Sequence, residues 1–257
     1  MDLGLAEYKA IVNGASQGIG LATATLLAEE GAVVAVVARR EDRIREAAEK
    51  IRARTGGEVH WIQGDIRSPE DCERIVAESI AAMGGVDVLV NNDGAPPVGE
   101  LASFDDAAWA KAVDRNLMSV VRMDRAVVPS MRERGGGAIV NVTALSVLQP
   151  ISGFGLSVAT WAAVLGFSKT LADEVAGDAI RVNTVCPGAL ESPRVDAVLE
   201  AAGDASAVRS ALASAPLGRL GLSEEVASLI TFLASPRSSY LTGMAVQVDG
   251  GARRSLI

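Results

Sequence analysis

Seven short apolar runs, six of them followed by a longer stretch of helical spacing, constrain this chain more than any other feature. The runs lie at 10–12, 33–37, 59–62, 86–90, 138–142, 180–185 and 245–248. Helical spacing occupies 19–29, 43–54, 69–83, 106–134, 157–176 and 223–234. Strands apolar on both faces need helices on both sides. Strict alternation of strand and helix then predicts a doubly wound parallel α/β sheet with right-handed crossovers. No repeat, linker or low-complexity tract divides residues 1–257, so one domain is expected. The Ala/Ser-rich insertion at 193–216 follows the sixth run and reads as a helical lid over a substrate.

Composition removes several classes. A hydrophobic share of 49 % with 26 glycines suits a packed α/β core and excludes a disordered chain. A net charge of −8 argues against nucleic acid or an anionic membrane as partner. The two cysteines, Cys72 and Cys186, stand far apart without a cluster of other ligands, so neither a disulfide nor a metal site is expected. The start lacks a basic region followed by an apolar run, and no apolar stretch reaches bilayer length. The expected location is cytoplasmic.

After the first run stands Asn13-Gly14-Ala15-Ser16-Gln17-Gly18-Ile19-Gly20, leading into a helix. Glycines there let the backbone turn sharply and approach a pyrophosphate, whose charge the helix N-terminus favours. This is the first contact of a Rossmann-like fold with a dinucleotide, although the spacing Gly-x-x-x-Gly-x-Gly differs from the commoner fingerprint. The second run ends in Ala38-Arg39-Arg40, with no carboxylate for a ribose 2′-hydroxyl. Two guanidinium groups in that place favour a 2′-phosphate, hence NADP(H), with NAD(H) the alternative. Asp65, before Ile66, is either an acceptor for the adenine amino group or a turn former at a strand end.

These segments, with Asn91-Asn92-Asp93-Gly94, Asn116, Pro187-Gly188, Tyr240-Leu241-Thr242-Gly243 and Val248-Asp249-Gly250-Gly251, resemble the short-chain dehydrogenase/reductase family over nearly the whole chain. The resemblance implies about seven parallel strands and a homodimer or homotetramer. It implies interconversion of a carbonyl and an alcohol with NAD(P)(H), on a small-molecule substrate. It places Asn92, Gly94, Ile66, Pro187, Gly188 and Ser192 against the cofactor, Ser192 matching a family threonine that holds the nicotinamide amide.

The family's proton chemistry uses Asn, Ser, Tyr and Lys, and here the resemblance breaks. Counting back from Gly166-Phe167-Ser168-Lys169 puts Ser157 at the Tyr position and Trp161 at the Lys position. Counting on from Ile139-Val140-Asn141-Val142 puts Ala144 at the Ser position, and the two counts agree. Only Asn116 remains. No tyrosine occurs between Tyr8 and Tyr240. Gln149-Pro150-Ile151 and Leu156-Ser157 are similar to a subgroup with Ser-Asn-x-x-Arg at this place, but Val158 and Trp161 replace its Asn and Arg. Lys169 lies eight residues beyond Trp161, about 12 Å along a helix, too far to substitute. Thr143 and Ser146 are weak acids and read as loop residues, and His60 reads as structural.

Asp93 is the second departure, standing where the family has alanine. At the carboxyl end of the fourth strand it is a candidate general acid/base, with Asn116 and Ser157 as the other candidate catalytic residues. Its ordinary reading is a turn aspartate bonded to its own backbone. Were it to repel the cofactor, no cofactor would bind. Three functions follow: a non-redox catalyst of cyclisation, dehydration or isomerisation; an NADP(H)-dependent oxidoreductase that takes its proton elsewhere; and a catalytically silent NADP(H) sensor or partner subunit.

Overall fold

The structure, a computed structural model, describes residues 2–94, 96–191 and 215–255. Seven parallel strands form one sheet: β1 (Lys9–Asn13), β2 (Val33–Ala38), β3 (Val59–Gln63), β4 (Val88–Asn91), β5 (Gly137–Val142), β6 (Ile180–Pro187) and β7 (Ala245–Val248). Their order is β3-β2-β1-β4-β5-β6-β7, the doubly wound arrangement expected from the alternation. The direction of winding reverses between β1 and β4, which leaves a crevice at the carboxyl ends of those two strands.

Alternation along the strands divides the core. Val12, Val34, Val36, Val90 and Val140 are buried on the face covered by α1 (Gly18–Glu29), α2 (Glu41–Thr55) and α7 (Ser223–Ala234). Ile11, Val37, Leu89, Ile139 and Val182 are buried on the face covered by α3 (Pro69–Met83), α5 (Ser119–Glu133) and α6 (Gly155–Val175). Local chemistry sets the helix ends. Ser68 accepts a 3.1 Å bond from the Asp71 N–H, and Pro69 opens α3. Gly56 and Gly84 close α2 and α3 in the left-handed conformation.

One expected helix is interrupted. The stretch read as continuous over 106–134 is α4 (Asp106–Val113), a π-helical turn at Asp114–Met118, and α5. The π-turn itself carries no Pro or Gly, so helical periodicity runs through it. π-turns within helices are frequent at functional sites. Among the described residues no helix is long and apolar enough to cross a membrane, and none form a group of three metal-ligating side chains. The region expected to form a lid, 193–216, lies outside the described residues except for Ala215 and Pro216.

Candidate functional site

The turn between β1 and α1 is held open by its glycines. Gly14 has φ +63°, and a Cβ there would sit 2.2 Å from the Asn92 carbonyl oxygen. A Cβ on Gly20 would sit 2.4 Å from the Gly14 carbonyl oxygen. Asn92 Nδ2 donates to that same Gly14 oxygen at 3.3 Å, tying the end of β4 to the turn. Gly18 also has positive φ but meets nothing of the chain closer than 3.9 Å. Gln17 is extended and makes no side-chain cap, and the first turn of α1 carries no acid. The N-terminal N–H groups at Gly18, Ile19 and Gly20 thus face an anion site without competition, which fits a pyrophosphate. Ser16 lies half-buried in the same turn. At the far side of the crevice Pro187 ends β6, and a Cβ on Gly188 would sit 2.9 Å from Asp249 Cα. Ser192 lies outside the described residues.

The ends of β2 and β3 sort the two arginines. Arg40 is occupied, its Nη2 lying 2.8 Å from Asp42 Oδ2. Arg39 is exposed, and its guanidinium has no hydrogen-bond partner among the described residues, leaving it the better candidate for a phosphate. Asp65, expected to face an adenine, accepts from Arg67 Nε at 2.7 Å and from the Arg67 terminal nitrogen. Those bonds hold its carboxyl below the usual range. Its acceptor capacity is thus already shared, a restriction invisible in the sequence. His60 Nε2 lies 2.8 Å from Glu58, on the surface of β3.

The π-turn presents Asn116, which is 3 % exposed. Its Nδ2 donates 2.8 Å to Thr160 Oγ1 on α6, and Thr160 passes its own hydrogen to the Leu156 carbonyl at 2.7 Å. Asn116 Oδ1, Ser146 Oγ and Ser157 Oγ are buried without hydrogen-bond partners among the described residues. Thr143 Oγ1 lies 3.3 Å from Cys186 Sγ. Trp161 is buried in an apolar cluster with Val120 and Val164, against which Leu117, Ala144, Val147 and Phe167 pack. Lys169 pairs with Asp173 at 2.9 Å on the surface and does not enter this cluster. Asp93, Asn116 and Trp161 border one small, partly open cavity of about 10 Å³, joined by Ile66, Asn92 and Arg115. That space holds at most one water. Ser157 and Ala144 are not among its walls. A second, larger cavity of about 560 Å³ lies between Gly99–Ala102 and Ile151–Gly155, beside the start of α6.

Asp93 keeps 24 % of its side chain exposed, and its Oδ2 stands 3.7 Å from Arg115 Nε. Burial pushes its carboxyl up; the Gly94 N–H and the charges of Arg115, Arg39 and Arg67 oppose the shift. Arg115 and Thr160 are site residues that sequence reasoning missed. Thr160 had a usable signal, three residues from Ser157 on one helix face. Arg115 had none beyond its place next to Asn116.

Beneath the crevice lies a polar network. Asn13 Nδ2 donates to Asn91 Oδ1 at 2.8 Å, and Asn91 Nδ2 donates to Asp124 Oδ1 at 2.5 Å. Asn141 Nδ2 donates to Asp124 Oδ2 at 3.1 Å and to Ser168 Oγ at 2.9 Å. Asp124 has no solvent exposure and no cation partner in the network, and burial pushes its carboxyl up to about 7.

A doubly wound sheet with a glycine cradle at its switch point defines a nucleotide-binding protein. Comparison with known proteins narrows this. A family profile described as "Enoyl-(Acyl carrier protein) reductase" matches residues 14–253. Glucose 1-dehydrogenase of Gluconobacter oxydans is 42 % identical over 250 residues, covering 96 % of this chain and 92 % of that protein. Rabbit (Oryctolagus cuniculus) dehydrogenase/reductase SDR family member 4 is 36 % identical, covering 96 % and 94 %. L-Sorbose reductase of Gluconobacter frateurii, solved with NADPH and L-sorbose, superposes with a TM-score of 0.95 at 36 % identity over 100 % of both chains. An NADPH-bound short-chain oxidoreductase of Pseudomonas aeruginosa PAO1, described as having an atypical catalytic center, gives 0.90 at 35 % identity over 96 % of both. The chain belongs to the short-chain dehydrogenase/reductase family.

Proposed function

We propose that this chain is an NADP(H)-dependent oxidoreductase of a small organic substrate that works without the family's phenol–ammonium proton relay. The observation that carries the reading is Trp161, buried among apolar side chains at the position matched to the family lysine, in a chain that keeps its glycine turn for a phosphate. Names of relatives lend weight to redox chemistry: dehydrogenases and reductases, one with NADPH and an atypical centre. The non-redox and silent readings have no such support. The homodimer or homotetramer implied by the resemblance stays in the proposal, with Tyr240, Leu241 and Met244 exposed near edge strand β7.

The nicotinamide, when bound, supplies or accepts the hydride. The chain's own groups do the rest. The glycine turn and the N–H groups of α1 hold the pyrophosphate, and Arg39 takes the 2′-phosphate. Trp161 and its neighbours exclude water and shape an apolar wall. Asn116 Oδ1 and Ser157 Oγ are a buried acceptor and a buried hydroxyl that the described chain leaves unpaired, and a water satisfies an atom so placed. Lacking a positioned acid costs about 10²–10⁴-fold in rate, so the substrate is an activated one. An iminium carbon fits, because it accepts hydride without needing a proton. The cavity beside α6 has the volume of a small-ligand site.

Loss of NADPH absorbance on a panel of ketones, imines and sugars tests the reading. Turnover is expected with activated substrates, whereas turnover unaffected by removing the cofactor would falsify it. Tyr8→Phe and Tyr240→Phe are both expected to leave the rate and its pH profile unchanged; Tyr240 is fully exposed. Loss of turnover in either variant would restore a phenol to the mechanism. Arg39→Ala is expected to weaken NADPH binding about tenfold or more while leaving NADH binding unchanged, read by calorimetric titration. Equal loss for both nucleotides would remove Arg39 from phosphate recognition.

A further inference from the structure

The larger cavity, beside the start of α6, carries a charge pattern that the cofactor chemistry leaves unused. Two loops build it, one after β4 and one after β5, tied where the Gly99 N–H donates to the Gly153 carbonyl at 2.9 Å. The loops meet closely at their glycines. A Cβ on Gly155 would lie 2.5 Å from Leu101 Cδ1, and one on Gly153 would lie 3.0 Å from Val98 Cγ1, so packing fixes the walls. Leu101 and Ile151, both in the walls, expose apolar side chains. The volume of about 560 Å³ suits a small organic molecule. Gly155 stands two residues before Ser157, the position matched to the family's tyrosine.

Among the described residues, Glu100 is the only charged one in those walls. Its backbone carbonyl accepts from the Ser103 N–H at 3.0 Å and from Ser103 Oγ at 2.8 Å, which fixes the chain there. Its carboxylate has no hydrogen bond or ion pair among the described residues. The smaller cavity has one cation in its walls, Arg115, and Asp93 stands 3.7 Å from it. Position 161, matched to the family's ammonium, holds an indole. A cationic molecule therefore meets an unpaired carboxylate at the larger cavity and no uncompensated positive charge in the walls of either. The net charge of −8 draws cations toward the chain from a distance.

Resting on the oxidoreductase reading, we propose that this cavity takes the substrate and that Glu100 selects a cationic one, an iminium ion on an apolar frame. Charge and chemistry agree. Hydride from NADPH forms the new C–H bond at the iminium carbon, and the C=N π pair returns to nitrogen as its lone pair. NADP+ and a neutral amine result. No proton is consumed, so the lost phenol and ammonium are not missed. Glu100 binds the charge while Leu101 and Ile151 take the frame. Because the positive charge fades as hydride arrives, the carboxylate acts on substrate binding and not on the chemical step.

Steady-state oxidation of NADPH by the full-length protein with N-methyl-3,4-dihydroisoquinolinium, a permanently charged iminium, tests this. Turnover is expected above the rate without protein. Glu100→Gln should raise KM for the iminium about fivefold without lowering kcat, and Glu100→Lys should raise it further. At about 1 M salt, where charges are screened within about 3 Å, the wild-type KM should approach that of the Gln variant. Benzyltrimethylammonium, a cation that cannot be reduced, gives a readout without turnover: calorimetric titration into the NADP+-bound protein should show about fivefold weaker binding in Glu100→Gln. 1-Tetralone, a neutral bicycle, should compete more weakly than benzyltrimethylammonium in the wild type and equally well in wild type and variant. An unchanged KM with an unchanged affinity for benzyltrimethylammonium in Glu100→Gln overturns the role of Glu100. So does a wild type that binds NADPH but not the quaternary cation. A wild type that binds the cation and NADPH yet never reduces the iminium overturns the substrate class. A wild type that binds no NADPH instead overturns the oxidoreductase reading on which this one rests.

Discussion

Replacing Asp124 by asparagine is expected to flatten the dependence of stability on pH between about 4 and 7. Asp124 sits at 0 % exposure with two amide donors and no cation in its network, and its carboxyl is pushed up to about 7 by burial. In the unfolded chain it titrates near 4. Between those values the unfolded chain has released its proton and the folded chain has kept it, so stability falls as pH rises. Above the folded value the whole penalty is present, about 4 kcal/mol over roughly three units. Asparagine cannot titrate, and it turns an amide donor toward Asn91 or Asn141, a mismatch worth about 1–3 kcal/mol at every pH. The variant should therefore be the less stable protein near pH 5, and the gap should close or reverse near pH 8. Denaturant unfolding at both pH values measures this. A difference that does not change with pH would show that Asp124 is ionised throughout.

Gly14→Ala is expected to abolish nucleotide binding, by about 100-fold or more in affinity, and to lower the melting temperature. The backbone at φ +63° already penalises a side chain by about 1–2 kcal/mol. The larger cost is steric. The new Cβ would lie 2.2 Å from the Asn92 carbonyl and 2.9 Å from Asn92 Nδ2, so the end of β4 must move away from the turn. Asn92 and Asp93 would move with it, taking cradle and crevice apart together. Gly18→Ala is the comparison: it shares the backbone strain but meets nothing closer than Ser223 Oγ at 3.9 Å, so its melting temperature should fall less. Equal falls in the two variants would show that strain, and not the contact with Asn92, governs the turn.

The order of elements and the glycine turn were legible in the residues, because each rests on local information. Strand and helix periodicity, turn glycines and the lack of any tyrosine between Tyr8 and Tyr240 need no knowledge of what lies across the sheet. Periodicity failed where local geometry departed from the average, at the π-turn that presents Asn116.

Chain contacts between distant segments were decided by tertiary structure alone. Asp124 on a helix reads as a solvated charge, yet the register of β4 and β5 aligns Asn91 with Asn141 and encloses it. Asn116 meets Thr160 across 44 residues, and Asp87 meets Arg134 across 47. Arg115 becomes a partner of Asp93 only because β4 ends where the π-turn packs. Periodicity fixes which face of an element is apolar; the partners of a polar group depend on strand register and helix docking, which are properties of the assembled sheet.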